Sequence, residues 1–444
     1  MIINKMIEVE KKNLSLTEIN EIKKQLTFNN PIYTQNEKRG YSNYKTNEFI
    51  LCYKQNYNNI YLPKPFLPKL LEILGREVEI IDKRIKGEEQ NFKFYGELRK
   101  YQKKATKDFK TREQGIIVAP CASGKTVMGL FLISQLRTTS LILVHKNYLL
   151  KQWSDAIEKF LNISREDIGI IGGGKCIIKP ITIGTNQTLS RRSSEYINNF
   201  GFIIQDEAHH VPAISFSSTI TNFSPYYQLG LSATPYRKDG LTELIKLYIG
   251  SIIYSVSDED LRKEGVKIKP SFVIRETDSQ FLYKDDFNQL IDHLICDNAR
   301  NDLIINDILY EAKKENYCLV FSDRVDHAKF LTANLQLKGG KATFMDAKDK
   351  KSQERIEKLL IEKKKNIVVC TGQLAGEGLD IPILNRLFIT TPISGKARLT
   401  QYTGRILRTH ALKKDAIVYD YLDKNIPICL GMYIARKKIY DQMT

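Results

Sequence analysis

Residues 119–126 read Ala-Pro-Cys-Ala-Ser-Gly-Lys-Thr, between the apolar run GIIV and the helical pattern TVMGLFLISQL. A loop that leaves a strand and opens a helix turns its backbone N–H groups toward an anion. In such a loop Ser123 and Gly124 line the anion, Lys125 reaches the β- and γ-phosphates of a nucleotide, and the Thr126 hydroxyl binds Mg²⁺. Two positions depart from the usual glycine pattern. Ala119 stands at the first glycine and Ala122 at a second. Both cost backbone freedom. They keep a bland reading open, a glycine-containing strand-to-helix turn.

A second group, Asp206-Glu207-Ala208-His209, ends the apolar run FGFIIQ. An acidic pair at a strand's carboxyl end suits a parallel sheet, where ligands collect. Asp206 would hold Mg²⁺ and Glu207 would orient and deprotonate a water. Taken alone, the pair reads equally as a strand cap. The 81 residues from Lys125 to Asp206 leave room for the strands between them. Ser232-Ala233-Thr234-Pro235 ends the run YQLGL, and its small hydroxyls are placed to sense a phosphate through Glu207 or His209. Near the C-terminus, Gln401, Gly404, Arg405 and Arg408 share one face if the segment is helical. Two arginines on that face suit a transferring phosphoryl group, a contribution of roughly 10³–10⁵ in rate. The bland reading is a solvated basic helix.

These residues need a scaffold. The runs GIIVAP, SLILVH, ITIGT, FGFIIQDEA and YQLGLSAT read as buried parallel strands, each followed by a helical pattern. YCLVFS, KATFMD, NIVVCT, RLFITT and AIVYDY repeat the alternation. The expected fold is α/β, with two tandem parallel-sheet domains at 96–265 and 266–444. Residues 1–95 form a small α/β accessory domain with a helix at LSLTEINEIKKQL, two strands around an Asn-rich turn, and a short helix at PFLPKLLEIL. Tyr33, Tyr41, Tyr44, Tyr53, Tyr57 and Tyr61 interleave there with Lys38, Arg39, Lys45 and Lys54. That mix suits base stacking beside phosphates and, equally, an ordinary strand surface.

Composition narrows the class. The 444 residues are 42% hydrophobic and 27% charged, an ordinary globular balance. A net charge of +17 points to a polyanion. The excess is +4 over 1–95, +4 over 96–299 and +9 over 300–444. No run approaches the ~18 apolar residues of a membrane span. Glu8 and Glu10 come too early for a secretory signal. Seven scattered cysteines without a CxxC pair fit free thiols in a cytoplasmic setting and argue against zinc.

Over about 96–425 the ordered set resembles a superfamily 2 helicase of the DEAH type. Leu98-Arg99-Lys100-Tyr101-Gln102 resembles the adenine-reading segment, residues 119–126 motif I, Asp206–His209 motif II and Ser232–Thr234 motif III. LILVHKNYLLKQW (141–153) and IGTNQTL (183–189) resemble nucleic-acid-tracking motifs. CLVFSDRVDHAKFL resembles motif IV, Thr371 with Gly376–Asp380 motif V, and Gln401–Arg408 motif VI. Tyr402 stands where an arginine is common. LGLSATPYRKDG and Asp297-Asn298-Ala299-Arg300-Asn301 resemble the branch holding XPB-type DNA translocases, UvsW-type phage branch-migration helicases and poxviral transcript-release helicases.

The resemblance implies a monomer with two RecA-like motor domains and ATP with Mg²⁺ between them. Arg99, Gln102, Ala122, Gly378 and Asp380 would join the phosphate loop in holding nucleotide. Arg405 and Arg408 would serve as fingers, and His209, Ser232, Thr234 and Gln401 would couple the sites. Lys146, Thr185, Gln187, Arg237, Ser322 and Thr371 would touch nucleic acid. The implied activity is ATP-dependent DNA translocation or unwinding on duplex, forked or four-way DNA, in recombination, replication or repair. Two alternatives stay open: an RNA-directed or transcript-release ATPase, and a binding module with a degenerate ATP site. Cys121 inside the phosphate loop is a candidate reactive thiol. The Lys338–Lys351 loop and the Tyr57 turn are candidate strand-separating wedges.

Overall fold

The computed structural model describes residues 1–120, 123–192, 199–208, 220–233, 241–346, 352–372 and 381–443. The chain divides into two compact units, Met1–Ser257 and Asp258–Thr444. This division keeps residues 1–95 with the first sheet and falls before the short helix Asp258–Lys263.

The N-terminal segment builds a five-stranded sheet. Its strands are β1 (Ile2–Ile3), β2 (Ile7–Glu10), β5 (Lys54–Gln55), β6 (Asn59–Leu62) and β7 (Ile81–Asp82), in the order β5-β6-β2-β1-β7. A two-stranded ribbon pairs β3 (Thr27–Asn29) with β4 (Phe49–Leu51). The expected helix starts at Leu16 because Ser15 and Glu18 cap each other reciprocally. Its Ile22 joins Leu26, Leu70 and Leu74 over Ile7, Val9, Ile60 and Leu62, all buried. Each such side chain contributes roughly 1.5–3 kcal/mol. The same core runs on through Phe66 to Leu244 and Tyr248 of the helix Thr242–Ile249, which ties the segment to the larger sheet of the same unit.

That sheet has eight strands: β8 (Gln114–Val118), β9 (Ser140–Val144), β10 (Ile168–Gly172), β11 (Lys175–Ile177), β12 (Ile181–Thr185), β13 (Phe202–Gln205), β14 (Tyr227–Ser232) and β15 (Ile252–Ser255). Their order is β11-β10-β12-β9-β13-β14-β8-β15. All pairings are parallel except the edge pair β10–β11, which the sequence reading did not anticipate. The central strands are buried on both faces, as continuous apolar runs require. Register aligns Val118 with Ser232 and Leu143 with Gln205. One carboxyl edge therefore emits the loops that follow Val118, Val144, Thr185, Gln205 and Ser232.

The second unit holds β16 (Pro270–Thr277), β17 (Cys318–Ser322), β18 (Ala342–Met345), β19 (Ile367–Thr371), β20 (Arg386–Ile389) and β21 (Ala416–Asp423). Their order, β16-β21-β20-β17-β19-β18, is parallel throughout. Strand β18 occupies part of the stretch expected as the Lys338–Lys351 loop, because Ala342 and Met345 bury against the sheet. Among the described residues no helix is long and apolar enough to cross a membrane.

Candidate active site

Strand β8 leads into buried Ala119, whose N–H donates to Ser232 O at 2.8 Å. The chain turns through Gly124 in the left-handed region (φ 76) and enters the helix Lys125–Leu136. A side chain at Gly124 would fail on space as well, since a Cβ there would lie 2.4 Å from Gln102 Nε2. The Ser123 carbonyl is held twice, by Tyr101 Oη at 2.8 Å and by Gln102 Nε2 at 2.9 Å. The Ser123 hydroxyl is buried and has no hydrogen-bond partner among the described residues.

The acid pair follows β13. Lys125 Nζ lies 3.0 Å from Glu207 Oε1. Glu207 adopts a left-handed backbone (φ 45), a conformation costing roughly 1–3 kcal/mol and concentrated at functional sites. The Ala233 N–H donates weakly to Glu207 Oε2 at 3.4 Å. Asp206 is buried, with Oδ1 accepting the Glu207 N–H at 2.9 Å and Oδ2 accepting Trp153 Nε1–H at 2.8 Å. Burial, then the neighbouring Glu207 charge, pushes the Asp206 carboxyl up to about 6. His145, on the adjacent strand exit, is held low by burial and by Lys146.

This is an acid pair beside the phosphate-loop lysine. Lys125 pairs with Glu207, and its charge also acts on buried Asp206. Hard divalent cations take oxygen ligands, and Mg²⁺ uses one or two protein oxygens plus substrate phosphates. The donor set fits such a group: Asp206 and the half-buried Thr126 would hold it. Among the described residues no cluster of three or more His, Cys, Asp or Glu side chains occurs.

In the second unit, Gln401 and Arg405 lie half-buried on the helix Lys396–Ile406. Arg405 sits near enough to the buried Cys370 thiol to oppose its upward shift. Arg408 does not share their helical face. The helix stops at Ile406, and Arg408 forms an antiparallel bridge with Lys267. Ile268 N–H donates to Leu407 O at 2.8 Å, so pairing with Val266–Ile268 draws the chain out of the helix. Lys413 Nζ donates to Arg408 O at 2.9 Å and Pro382 O at 3.0 Å. Burial, then the Arg408 charge, lowers the Lys413 ammonium to about 7. Tyr402 is buried against Phe321, accepts from Arg398 Nε at 3.0 Å and donates to Gly372 O at 3.3 Å.

Other expected residues divide. Arg99 is exposed, and its backbone N–H donates to Gln102 Oε1 at 2.9 Å. Gln102 is 2% exposed with both amide ends engaged, so here it braces the phosphate loop instead of presenting its amide to a base. Lys146 and Thr371 are half-buried at strand ends, and Gln187 is exposed. Thr185 and Ser322, expected on the nucleic-acid track, are buried inside it. Thr185 pairs with Thr188 at 2.8 Å, and Ser322 Oγ bonds His327 Nδ1 at 2.9 Å. Ser232 is buried at the end of β14. Ala122, His209, Thr234, Arg237, Gly378 and Asp380 lie outside the described residues, as does Cys121.

Residues 95–237 match the family described as Type III restriction enzyme, res subunit, and residues 300–410 match Helicase conserved C-terminal domain. The DNA 3'-5' translocase XPB2 of Sulfurisphaera tokodaii is 30% identical over 370 residues, covering 74% of this chain and 82% of that protein. The chain belongs to the XPB-like superfamily 2 helicases. A relative in Acanthamoeba polyphaga mimivirus, provisionally named an ATP-dependent RNA helicase, is 28% identical over 409 residues, 86% of this chain and 74% of its own length. The helicase domain of Pyrococcus furiosus Hef shares the fold, with a TM-score of 0.53 at 17% identity over 76% of this chain and 98% of that one.

The helicase frame explains the Asp297–Asn301 run. Asp297 caps the helix Asn298–Lys313 through Arg300 N–H at 3.0 Å. Arg300 pairs with buried Asp423 at 2.7 Å, and Asn301 Oδ1 meets His327 Nε2 at 2.9 Å. Sequence reasoning missed Trp153, Tyr101 and Lys413. Leu149, Leu150, Trp153, Ile157 and Leu161 mark one buried helical face, which signals burial of the indole but not its partner.

Proposed function

We propose that this helicase couples ATP hydrolysis to translocation on duplex or branched DNA. The observation that carries the ATPase reading is Lys125 poised 3.0 Å from Glu207, beside buried Asp206, at the carboxyl edge of a parallel sheet. Lys125 leaves Glu207 for the β- and γ-phosphates, which frees Glu207 to orient the attacking water and take its proton. Asp206 and Thr126 would hold Mg²⁺, which when bound would neutralise phosphate charge. Gln102 and Tyr101 keep the Ser123 carbonyl turned back, so the loop retains its shape as phosphate enters. His209, Ser232, Thr234 and Gln401 couple this chemistry to movement, as the resemblance implies. Arg405 and Arg408 are the proposed finger residues on the same ground.

DNA is favoured because relatives named as DNA 3'-5' translocases and helicases span most of the chain. Lys146, Gln187 and Thr371 are the proposed backbone contacts, and Thr185 and Ser322 hold the loops that carry them. Such contacts read backbone instead of sequence, as a motor on DNA structure needs. The N-terminal segment adds exposed Tyr41, Tyr44 and Tyr57 among exposed Lys38, Arg39, Lys45 and Lys54. It is proposed to grip the duplex or junction, with branch migration as the biological task. The mimivirus relative motivates a second reading, an RNA-directed ATPase. Strand displacement across single-stranded, duplex, forked, four-way and RNA substrates separates them. The DNA reading expects ATP-dependent remodelling of forked or four-way DNA. Preferential unwinding of RNA would replace it with the second.

A further inference from the structure

Trp153 is the chain's single tryptophan. It lies on the helix Tyr148–Leu161 and is 1% exposed. Two features separate it from an ordinary core aromatic. Its Nε1–H donates to Asp206 Oδ2 at 2.8 Å. Its far ring edge meets the phosphate-loop helix, where a Cβ at Gly129 would lie 3.2 Å from Trp153 Cη2. One rigid indole therefore spans the helix that begins with Lys125 and the acid that follows β13. The other carboxylate oxygen, Oδ1, accepts the Glu207 N–H at 2.9 Å. A carboxylate held by one fixed donor on each oxygen cannot rotate freely, and each oxygen keeps acceptor capacity. A leucine or phenylalanine would fill the same apolar space without holding the acid.

We propose that Trp153 is a positioning residue that fixes the Asp206 carboxylate relative to the phosphate-loop helix for a nucleotide-bound divalent cation. This rests on the ATP–Mg²⁺ reading of the site. Because the indole touches the acid directly, its emission reports the cation's arrival.

The test uses the full chain with tryptophan-selective excitation, ADP and Mg²⁺. Adding Mg²⁺ to the ADP complex changes wild-type emission, and Asp206→Asn abolishes that change while still binding ADP by calorimetry. In Trp153→Phe, ADP affinity without Mg²⁺ stays within about twofold of wild type. The Mg²⁺ concentration for half-maximal ATP turnover rises roughly 10- to 100-fold, the usual cost of losing a partner that orients a metal ligand. High Mg²⁺ restores turnover. A merely structural role would lower turnover and melting temperature without moving the Mg²⁺ requirement. The inference is overturned if Trp153→Phe keeps the wild-type Mg²⁺ requirement, or if wild-type emission ignores Mg²⁺ while calorimetry records its binding. Should Trp153→Phe not fold, the wild-type and Asp206→Asn emission decide alone. Absence of any ADP binding by wild type would overturn the ATP reading itself, and this inference with it.

Discussion

At the carboxyl edge of the first motor sheet, Lys125 pairs with Glu207 at 3.0 Å beside buried Asp206, which burial and the Glu207 charge push up to about 6. Inside the second motor unit, buried acids meet arginines of their own. Arg300 pairs with Asp423 at 2.7 Å, and Arg436 with Asp420 at 2.8 Å. Further donors complete those pairs: Thr277 to Asp423 at 2.6 Å and Tyr440 to Asp420 at 2.7 Å. Similar side chains thus serve opposite ends. The acid pair beside Lys125 stands where a nucleotide and its divalent cation are proposed to bind. The buried pairs tie β21 to its neighbouring helices.

The contrast breaks most visibly at Arg300. Arg300→Met strands Asp423 in the interior and should cost about 3–5 kcal/mol in denaturant unfolding, while nucleotide binding by the first unit survives. Unchanged stability would mean the pair is not structural. Lys125→Ala should do the reverse. ATP turnover falls on the order of 10²–10³-fold, with melting temperature shifted by only a few degrees, about the effect of a non-core change. A large stability loss with turnover intact would invert the assignment of the two regions.

A smaller effect sharpens the same comparison through pH. His327 is buried between Ser322 and Asn301, and burial followed by the Arg300 charge lowers it to about 3. The unfolded chain takes a proton on this imidazole near its ordinary value, and the folded chain refuses it. Stability contributed here is full above about pH 6.5 and is lost as pH falls toward 3, roughly 2 kcal/mol by pH 5. His327→Gln should flatten that limb of the stability–pH curve, and an unchanged slope would locate the acid sensitivity elsewhere. The smallest effect concerns Lys413, which bridges the Arg408 and Pro382 carbonyls. Lys413→Met should lower kcat about tenfold, ~1.4 kcal/mol, at constant KM for ATP, with partial rescue in Lys413→Arg. A change in KM alone would remove Lys413 from the positioning of Arg408.

What was legible in the sequence follows from range. Lys125, Asp206 and Glu207 were readable because each lies in a short run beside a continuous apolar strand, and the strands carry their own signal. The capping of Leu16–Gln25 by Ser15 is equally local. Contacts between distant positions carry no period. Trp153 with Asp206, Arg300 with Asp423 and Gln102 with the Ser123 carbonyl could not be inferred from spacing. Arg408 left its expected helical face for the same reason. No glycine or proline ends that helix; its stop is set by pairing with Val266–Ile268, about 140 residues earlier.

ATP turnover that depends on nucleic acid and on Glu207 is the central expectation for this helicase. The direct measurement is the steady-state ATPase rate of the full chain with and without duplex DNA, for wild type and Glu207→Gln, with ATP binding followed in parallel. DNA should raise wild-type turnover roughly tenfold or more, and Glu207→Gln should bind ATP yet turn it over at a small fraction of the wild-type rate. Turnover indifferent to DNA, or a Glu207→Gln enzyme as fast as wild type, would contradict it.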